Sequence, residues 1–206
     1  MDATSLPASI AGLPVPQDDI SAAAWRWART TLPRYLFAHS VRAYCWGVEI
    51  ATWEGRPFDA QVLWSAALFH DVGLTRVPRN TACFEVEGAE IARRFLAGRG
   101  MSAAAAERAA RAIILHMQPG VTADDGIESL LLDRATAIDV RGVDIESIAR
   151  VRDAVVRRYP REKFDRHFLR AIEREVSTRP TCQSARLLRE TDLAGSMARS
   201  PWAAPA

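Results

Sequence analysis

Hydrophobic residues recur at three- and four-residue intervals along most of the chain, the spacing of amphipathic helices. The clearest stripe lies in 34–53, where Leu36, Phe37, Val41, Tyr44, Val48 and Ala51 share one face. Pro33 opens that helix, and Asp18 and Asp19 can cap an earlier one running to about Thr30. Gly55 and Pro57 break the pattern, and Asp59 is an N-cap for a third helix. This third helix is apolar through Val62, Leu63, Ala66, Ala67 and Phe69, and it closes at Gly73. A loop from Leu74 to about Phe84 follows. Helices resume at 86–98, 102–117, 126–138, 144–158 and 161–176, punctuated by Gly100, Pro119 with Gly120, Gly142 and Pro160. No segment carries a sustained two-residue alternation rich in β-branched residues. The pattern predicts an all-α, single-domain bundle of about seven helices over 18–177. Residues 1–17, with Pro7, Pro14 and Pro16, read as an extended lead-in, and 178–206 as a C-terminal tail with a short helix near 185–190.

Composition narrows the class. A chain of 206 residues can build one full core, and 49% hydrophobic with 25% charged residues is the balance of a soluble globular protein. The formal net charge of +2 gives no nucleic-acid or acidic-membrane footprint. The arginine-rich stretch 150–174 has Asp153, Glu162, Asp165 and Glu173 interleaved, as expected of a solvated helix face. Lys163 is the only lysine, and the excess of arginine and alanine points to a GC-rich bacterial genome. No basic segment followed by an apolar run opens the chain, and no stretch is apolar enough to span a bilayer, so a cytoplasmic protein is expected. Cys45, Cys83 and Cys182 are widely and irregularly spaced. They are expected to be small buried thiols in a reducing compartment, without a disulfide.

The four histidines, His39, His70, His116 and His167, localise the candidate chemistry. His70 ends the most hydrophobic helix and is followed at once by Asp71. Burying such groups without partners costs about 2–7 kcal/mol for a neutral polar group and more for a charge. A divalent cation removes that cost by pairing the carboxylate and taking up the imidazole lone pair. Two further ligands are expected from other helices: His39 and Asp139, the latter at the end of a run containing Leu130, Leu131, Leu132, Ala135 and Ile138. Asp133 and Asp144 are the residues a shifted register would substitute. Two imidazoles and two carboxylates with room for water make an open, catalytic type of site that suits Zn²⁺, Fe²⁺ or Mn²⁺. His116 is either a helix C-terminal histidine favoured by the dipole or a proton donor in the pocket. Arg42, three residues after His39, either orients a ligand or substrate or pairs with a neighbouring acid. His167, among charges, is expected at the surface.

The order His39, His70-Asp71, Asp139 resembles the H…HD…D signature of the HD superfamily of metal-dependent hydrolases and spans about half the chain. The stretches His39-Ser40-Val41-Arg42, 66–75, 84–89 and Ile113-Ile114-Leu115-His116 are similar to the cyanamide hydratase-like branch. That resemblance implies a helical fold, one zinc ion, and addition of water to a cyanamide- or nitrile-like small molecule. It also implies Glu85 as a pocket carboxylate, the alternative being an acid in the first turn of the next helix; Thr75 and Phe84 are expected beside the substrate, and the loop from Thr75 and Arg76 as a lid. Attack by a metal-activated water on such a carbon leaves charge on nitrogen, for which His116 is the expected proton donor, with Asp71 or Asp139 able to accept a proton from the incoming water. Leu74 stands where HD nucleotidases carry an acid, and Phe84 about where two-metal phosphodiesterases carry an additional histidine. Both departures favour a single ion over phosphate-ester chemistry. The alternatives are a phosphohydrolase of nucleotides or small phosphoesters and a non-catalytic, metal-stabilised ligand-binding module. The expected partner is a small molecule. Trp25, Trp27 and Trp202 leave room for a homo-oligomer.

Overall fold

A computed structural model describes residues 5–75 and 82–202. Its architecture is all-α, as the periodicity predicts, with ten α-helices among the described residues and one minimal hairpin, β1 (Ser9–Ile10) and β2 (Leu13–Pro14). The lead-in is fastened to the core: Ile10, Leu13 and Val15 are buried, and the Tyr44 hydroxyl donates to the Pro14 carbonyl at 2.8 Å.

The helices begin and end where local chemistry directs. Asp18 caps α1 (Asp19–Thr31) by accepting from the Ser21 amide. The central helix α2 (Arg34–Glu54) is buried almost continuously from Leu36 to Ala51, and Gly55 closes it in the left-handed region at φ 63°. Asp59 caps α3 (Ala60–Phe69), whose residues Val62 to Phe69 are all buried, as its all-round apolar sequence requires. After a 3-10 turn at Val72–Thr75 come α4 (Phe84–Ala97), α5 (Ala103–Leu115) and α6 (Ile127–Arg141). Helix α2 packs on α3 and α6, while α5 fills the space between α4, α3 and α6.

The C-terminal third departs from the sequence expectation. The expected helix 144–158 is divided into a 3-10 turn, Ile145–Ile148, and α7 (Arg152–Arg158). Helix α8 (Phe164–Thr178) starts later than expected because Glu162 and Lys163 take positive φ angles of 40° and 61°. Beyond 177 the short helix expected near 185–190 is present as α9 (Gln183–Glu190), and an unexpected α10 (Leu193–Ala198) follows, with Leu193 and Met197 joining the core. These additions bring ten helices in place of about seven.

One further expectation is corrected. Cys83 and Cys182 form a disulfide across 99 residues with a Cα–Cα distance of 5.3 Å, leaving Cys45 as the buried free thiol. Sequence spacing carries no trace of a pairing that only the docking of α9 beside the start of α4 creates. The disulfide also removes the premise from which a reducing compartment was read. Of the tryptophans taken to leave room for a homo-oligomer, Trp25 is buried, while Trp27 and Trp202 are partly buried and stack on Phe69 and Trp46. No described helix is long and apolar enough to cross a membrane.

Candidate metal centre

The end of α3 is held against α4 by two glycines. A Cβ at Gly73 would lie 2.1 Å from the Phe84 carbonyl oxygen, and one at Gly88 would lie 3.2 Å from that of Phe69. Beside this close approach His70 keeps a right-handed helical backbone, the chain tightens into the 3-10 turn Val72–Thr75, and His70 and Asp71 are both buried. His39 faces them from the N-terminal third of α2, and His116 from the C-cap of α5.

His39, His70 and Asp71 converge so that one ligand atom of each lies within 4.8 Å of the others, all three buried. The Nε2 atoms of His39 and His70 stand 3.0 Å apart. Asp71 Oδ2 is 3.3 Å from the His70 Nε2 and 3.5 Å from the His39 Nε2, and it has no hydrogen-bond partner despite its burial. The opposite ring nitrogens fix the tautomers. His70 Nδ1 lies 2.8 Å from the Ala67 carbonyl and His116 Nδ1 2.6 Å from that of Ile113, so each must donate there. His39 Nδ1 donates to Asp139 Oδ2 at 2.7 Å. In their neutral forms all three rings therefore turn an Nε2 lone pair toward an acceptor oxygen, an arrangement that a cation satisfies.

Asp139 was expected as the fourth ligand and is placed otherwise. Arg42 donates to both of its oxygens, through Nε at 2.8 Å and Nη2 at 2.7 Å, and the Trp46 indole N–H donates to Oδ1 at 2.9 Å. Arg161 Nη1 stands 3.4 Å from Oδ2. Asp139 thus sits behind His39 and orients it. Burial opposes its ionisation, but Arg42, Arg161 and His39 outweigh that and hold its carboxyl well below the usual range. The fourth group beside the ion position is His116, whose Nε2 lies 3.9 Å from Asp71 Oδ1.

Electrostatics around the centre follow from burial and mutual contact. Burial, with the neighbouring imidazoles, pushes His116 down to about 3. Burial likewise lowers His39, although Asp139 and Asp71 act against it. Burial would lower His70 too, but the adjacent Asp71 raises it above its ordinary value. Burial raises Asp71, and His70, His39 and His116 overcome this to bring it to about 2.

The expected substrate-binding residues are dispersed. Arg42 is fully buried and spends its remaining donor on the Tyr159 and Pro160 carbonyls, so it pairs with an acid and does not meet a substrate. Thr75 donates to the Val72 carbonyl at 2.8 Å. Phe84 is buried with its ring edge-on to His116 at 5.9 Å between centroids. Glu85 is buried nearby, with Oε2 unpartnered, and burial, Glu175 and Asp71 push it up to about 7. None of these four lines the cavity that opens onto the centre. Arg76, expected in a lid, lies outside the described residues. His167 is exposed and stacks on Tyr35.

That cavity, about 340 Å³, has His39, His70, Asp71 and His116 in its lining, with walls from α6 and from α9. Sequence reasoning missed the α9 wall. It also missed Trp46 and Phe164, whose ring stacks on His39 at 4.7 Å. The spacing His39, Arg42, Trp46 is one helical face at i, i+3 and i+7, and that signal could have shown the three acting on one target.

No curated protein matches the chain significantly. The profile of the HD domain matches residues 36–192, a span that carries His39, His70, Asp71, His116 and Asp139. With its doublet at the end of α3 facing a histidine of α2, the chain belongs to the HD domain family, whose members are generally metal-dependent hydrolases.

Proposed function

We propose that the protein is a metal-dependent hydrolase or hydratase that adds an activated water to a cyanamide- or nitrile-like small molecule. The observation that carries this reading is the convergence of Nε2 lone pairs on the unpartnered, buried Asp71 Oδ2 at the floor of a cavity. His39, His70 and Asp71 would hold one divalent ion. Zinc is preferred by resemblance, and iron or manganese also suits nitrogen and carboxylate donors. Such an ion lowers the pKa of water from 15.7 to near 7, making a nucleophile available at neutral pH.

The chain's own groups supply the rest. Asp139, held by Arg42 and Trp46, keeps the His39 Nδ1–H pointed away from the centre and its Nε2 toward it. His116, with its proton fixed on Nδ1 by the Ile113 carbonyl, presents Nε2 as an acceptor. It therefore takes a proton from the attacking water and delivers it to the substrate nitrogen on which negative charge develops. This refines the expected role of proton donor, because Nε2 must be loaded before it can donate. Phe84 and Phe168 shield the imidazoles from bulk water.

Phosphate-ester hydrolysis is the weaker reading, since Arg42, the buried cation nearest the centre, is committed to Asp139. The deciding experiment assays zinc-, iron- and manganese-loaded protein on cyanamide, simple nitriles and a phosphoester panel, with H116A in parallel. Turnover of nitriles that falls at least 100-fold in H116A at unchanged metal content supports the proposal. Turnover confined to phosphoesters, or full activity in H116A, overturns it. Stoichiometric ion binding without turnover of any substrate identifies a ligand-binding module instead.

A further inference from the structure

The cavity is much larger than cyanamide needs, and its wall contains an acid without an ion-pair partner. Asp133, on α6, lines the cavity half-buried, and its carboxylate makes no hydrogen bond or ion pair with any described residue. Burial pushes its carboxyl up to about 6, with Arg141 and Arg134 acting in the other direction. Neither arginine pairs with it. Arg134 is engaged by Glu54 and by Asp144 at 2.9 Å, and Arg141, which also lines the cavity, is exposed, makes no ion pair with Asp133 and is screened by water. On the opposite wall Arg186 and Glu190 neutralise each other through contacts of 3.0 and 2.9 Å. Asp133 is then the one half-buried acid of the upper cavity left to be matched by whatever enters.

Its position relates it to the chemistry below. Thr136, one turn on, donates to the Asp133 carbonyl at 2.9 Å and lies 3.4 Å from the His116 carbonyl. Asp139, behind His39, is two turns on, about 9 Å along the axis at 1.5 Å per residue.

We propose that Asp133 anchors the substrate, and that this substrate carries a cationic N–H group, an amidinium, guanidinium or protonated amine, on an arm extending from the carbon presented to the ion. A half-buried carboxylate gains most from a partner that brings both charge and donors, because a neutral donor leaves its desolvation uncompensated. The inference rests on the proposed function only for the identity of the reacting end. The anchor itself is a binding property.

Binding of methylguanidinium and of its neutral isostere N-methylurea, read by ligand-observed NMR at pH 7.5 on the full chain with and without zinc, tests it independently of turnover. Expected is at least tenfold tighter binding of methylguanidinium, present in both forms, reduced to within about twofold in D133N and retained in D133E. Thermal midpoint and metal content, measured on each variant, exclude misfolding as the cause. Equal affinities in the native protein, or a preference that survives in a folded D133N, overturns the proposal. So does a preference that requires zinc and ignores D133N, since that places discrimination at the metal centre. Failure of every nitrile assay would remove the hydratase reading and leave this result standing.

Discussion

His39 Nδ1 and Asp139 Oδ2 meet at 2.7 Å across a hundred residues of sequence, joining the N-terminal third of α2 to the end of α6. The contact decides the chemistry of both. It fixes the proton of His39 on the side away from the cavity, and it occupies a carboxylate otherwise available to an ion. Arg42 and Trp46 complete the arrangement, so the imidazole, its carboxylate and the carboxylate's donors form one buried unit.

Removing the charge of Asp139 should therefore weaken the centre without touching it. In D139N the buried Arg42 loses its counter-ion, and loss of one partner of a buried pair typically costs about 3–5 kcal/mol. Ion affinity should fall by about 10–100-fold, the usual effect of losing a carboxylate that orients a ligating histidine. Chelator competition and urea unfolding measure the two effects separately.

Ion binding should also be visible in stability. With its imidazoles neutral, the metal-free centre turns three lone pairs and a carboxylate toward one another, and zinc relieves that opposition. At free zinc 100-fold above its dissociation constant the gain is about 2.7 kcal/mol. H70A should show no such zinc-dependent rise in its thermal midpoint, and a rise equal to that of the native protein would refute the ligand assignment.

Glu85 gives the protein a distinctive pH response. Burial first, then Glu175 and Asp71, raise its carboxyl from 4.5 to about 7 in the folded state. The folded form then holds a proton that the unfolded form releases above pH 4.5. Its contribution to stability is intact below that value and is lost as pH rises to about 7. The shift corresponds to roughly 3 kcal/mol. E85Q, which cannot ionise, should flatten the stability profile between pH 4.5 and 7 and be the more stable protein above it.

The helical class and the doublet His70-Asp71 were legible because both are local. Periodicity reports a helix, and an imidazole with a carboxylate ending an apolar helix reports a buried polar problem. The role of Asp139 was not local. Its distance from Arg42 and Trp46 depends on how α6 crosses α2, and nothing in the run Leu130 to Ile138 distinguishes a ligand from a residue that orients one. The α9 wall was missed for a related reason. Eight residues of charged, amphipathic sequence resemble a solvated tail until the Cys83–Cys182 link shows what they dock against.

Gly73 is a backbone requirement of the centre. Its Cα passes so close to the Phe84 carbonyl that any side chain must displace the start of α4. G73A should destabilise the protein by about 1–3 kcal/mol, the range for overpacking. It should also lower zinc affinity, because Asp71 lies two residues before it. A stabilised or unchanged G73A with native affinity would show that the turn is not under this constraint.

The disulfide ties α9 to the core at the point where that helix begins to line the cavity. Gln183, the next residue, donates to the Met117 carbonyl at 3.1 Å, so the link positions a wall that starts one residue from His116. Denatured without reductant, the chain should show one reactive thiol, that of Cys45. After treatment with a dithiol, which is oxidised as the bond is reduced, it should show three. A cross-link closing a loop of this length restricts the unfolded chain by about 4.7 kcal/mol in the entropic account, and measured losses commonly fall at about 2–5 kcal/mol. Reduction, or C83S, should lower unfolding free energy within that range and raise hydrogen exchange in α9 before it does so in α2 or α3. Uniform exchange in the reduced protein would mean that packing of Leu193 and Met197 holds the wall unaided, and three thiols without reductant would mean that the link does not form.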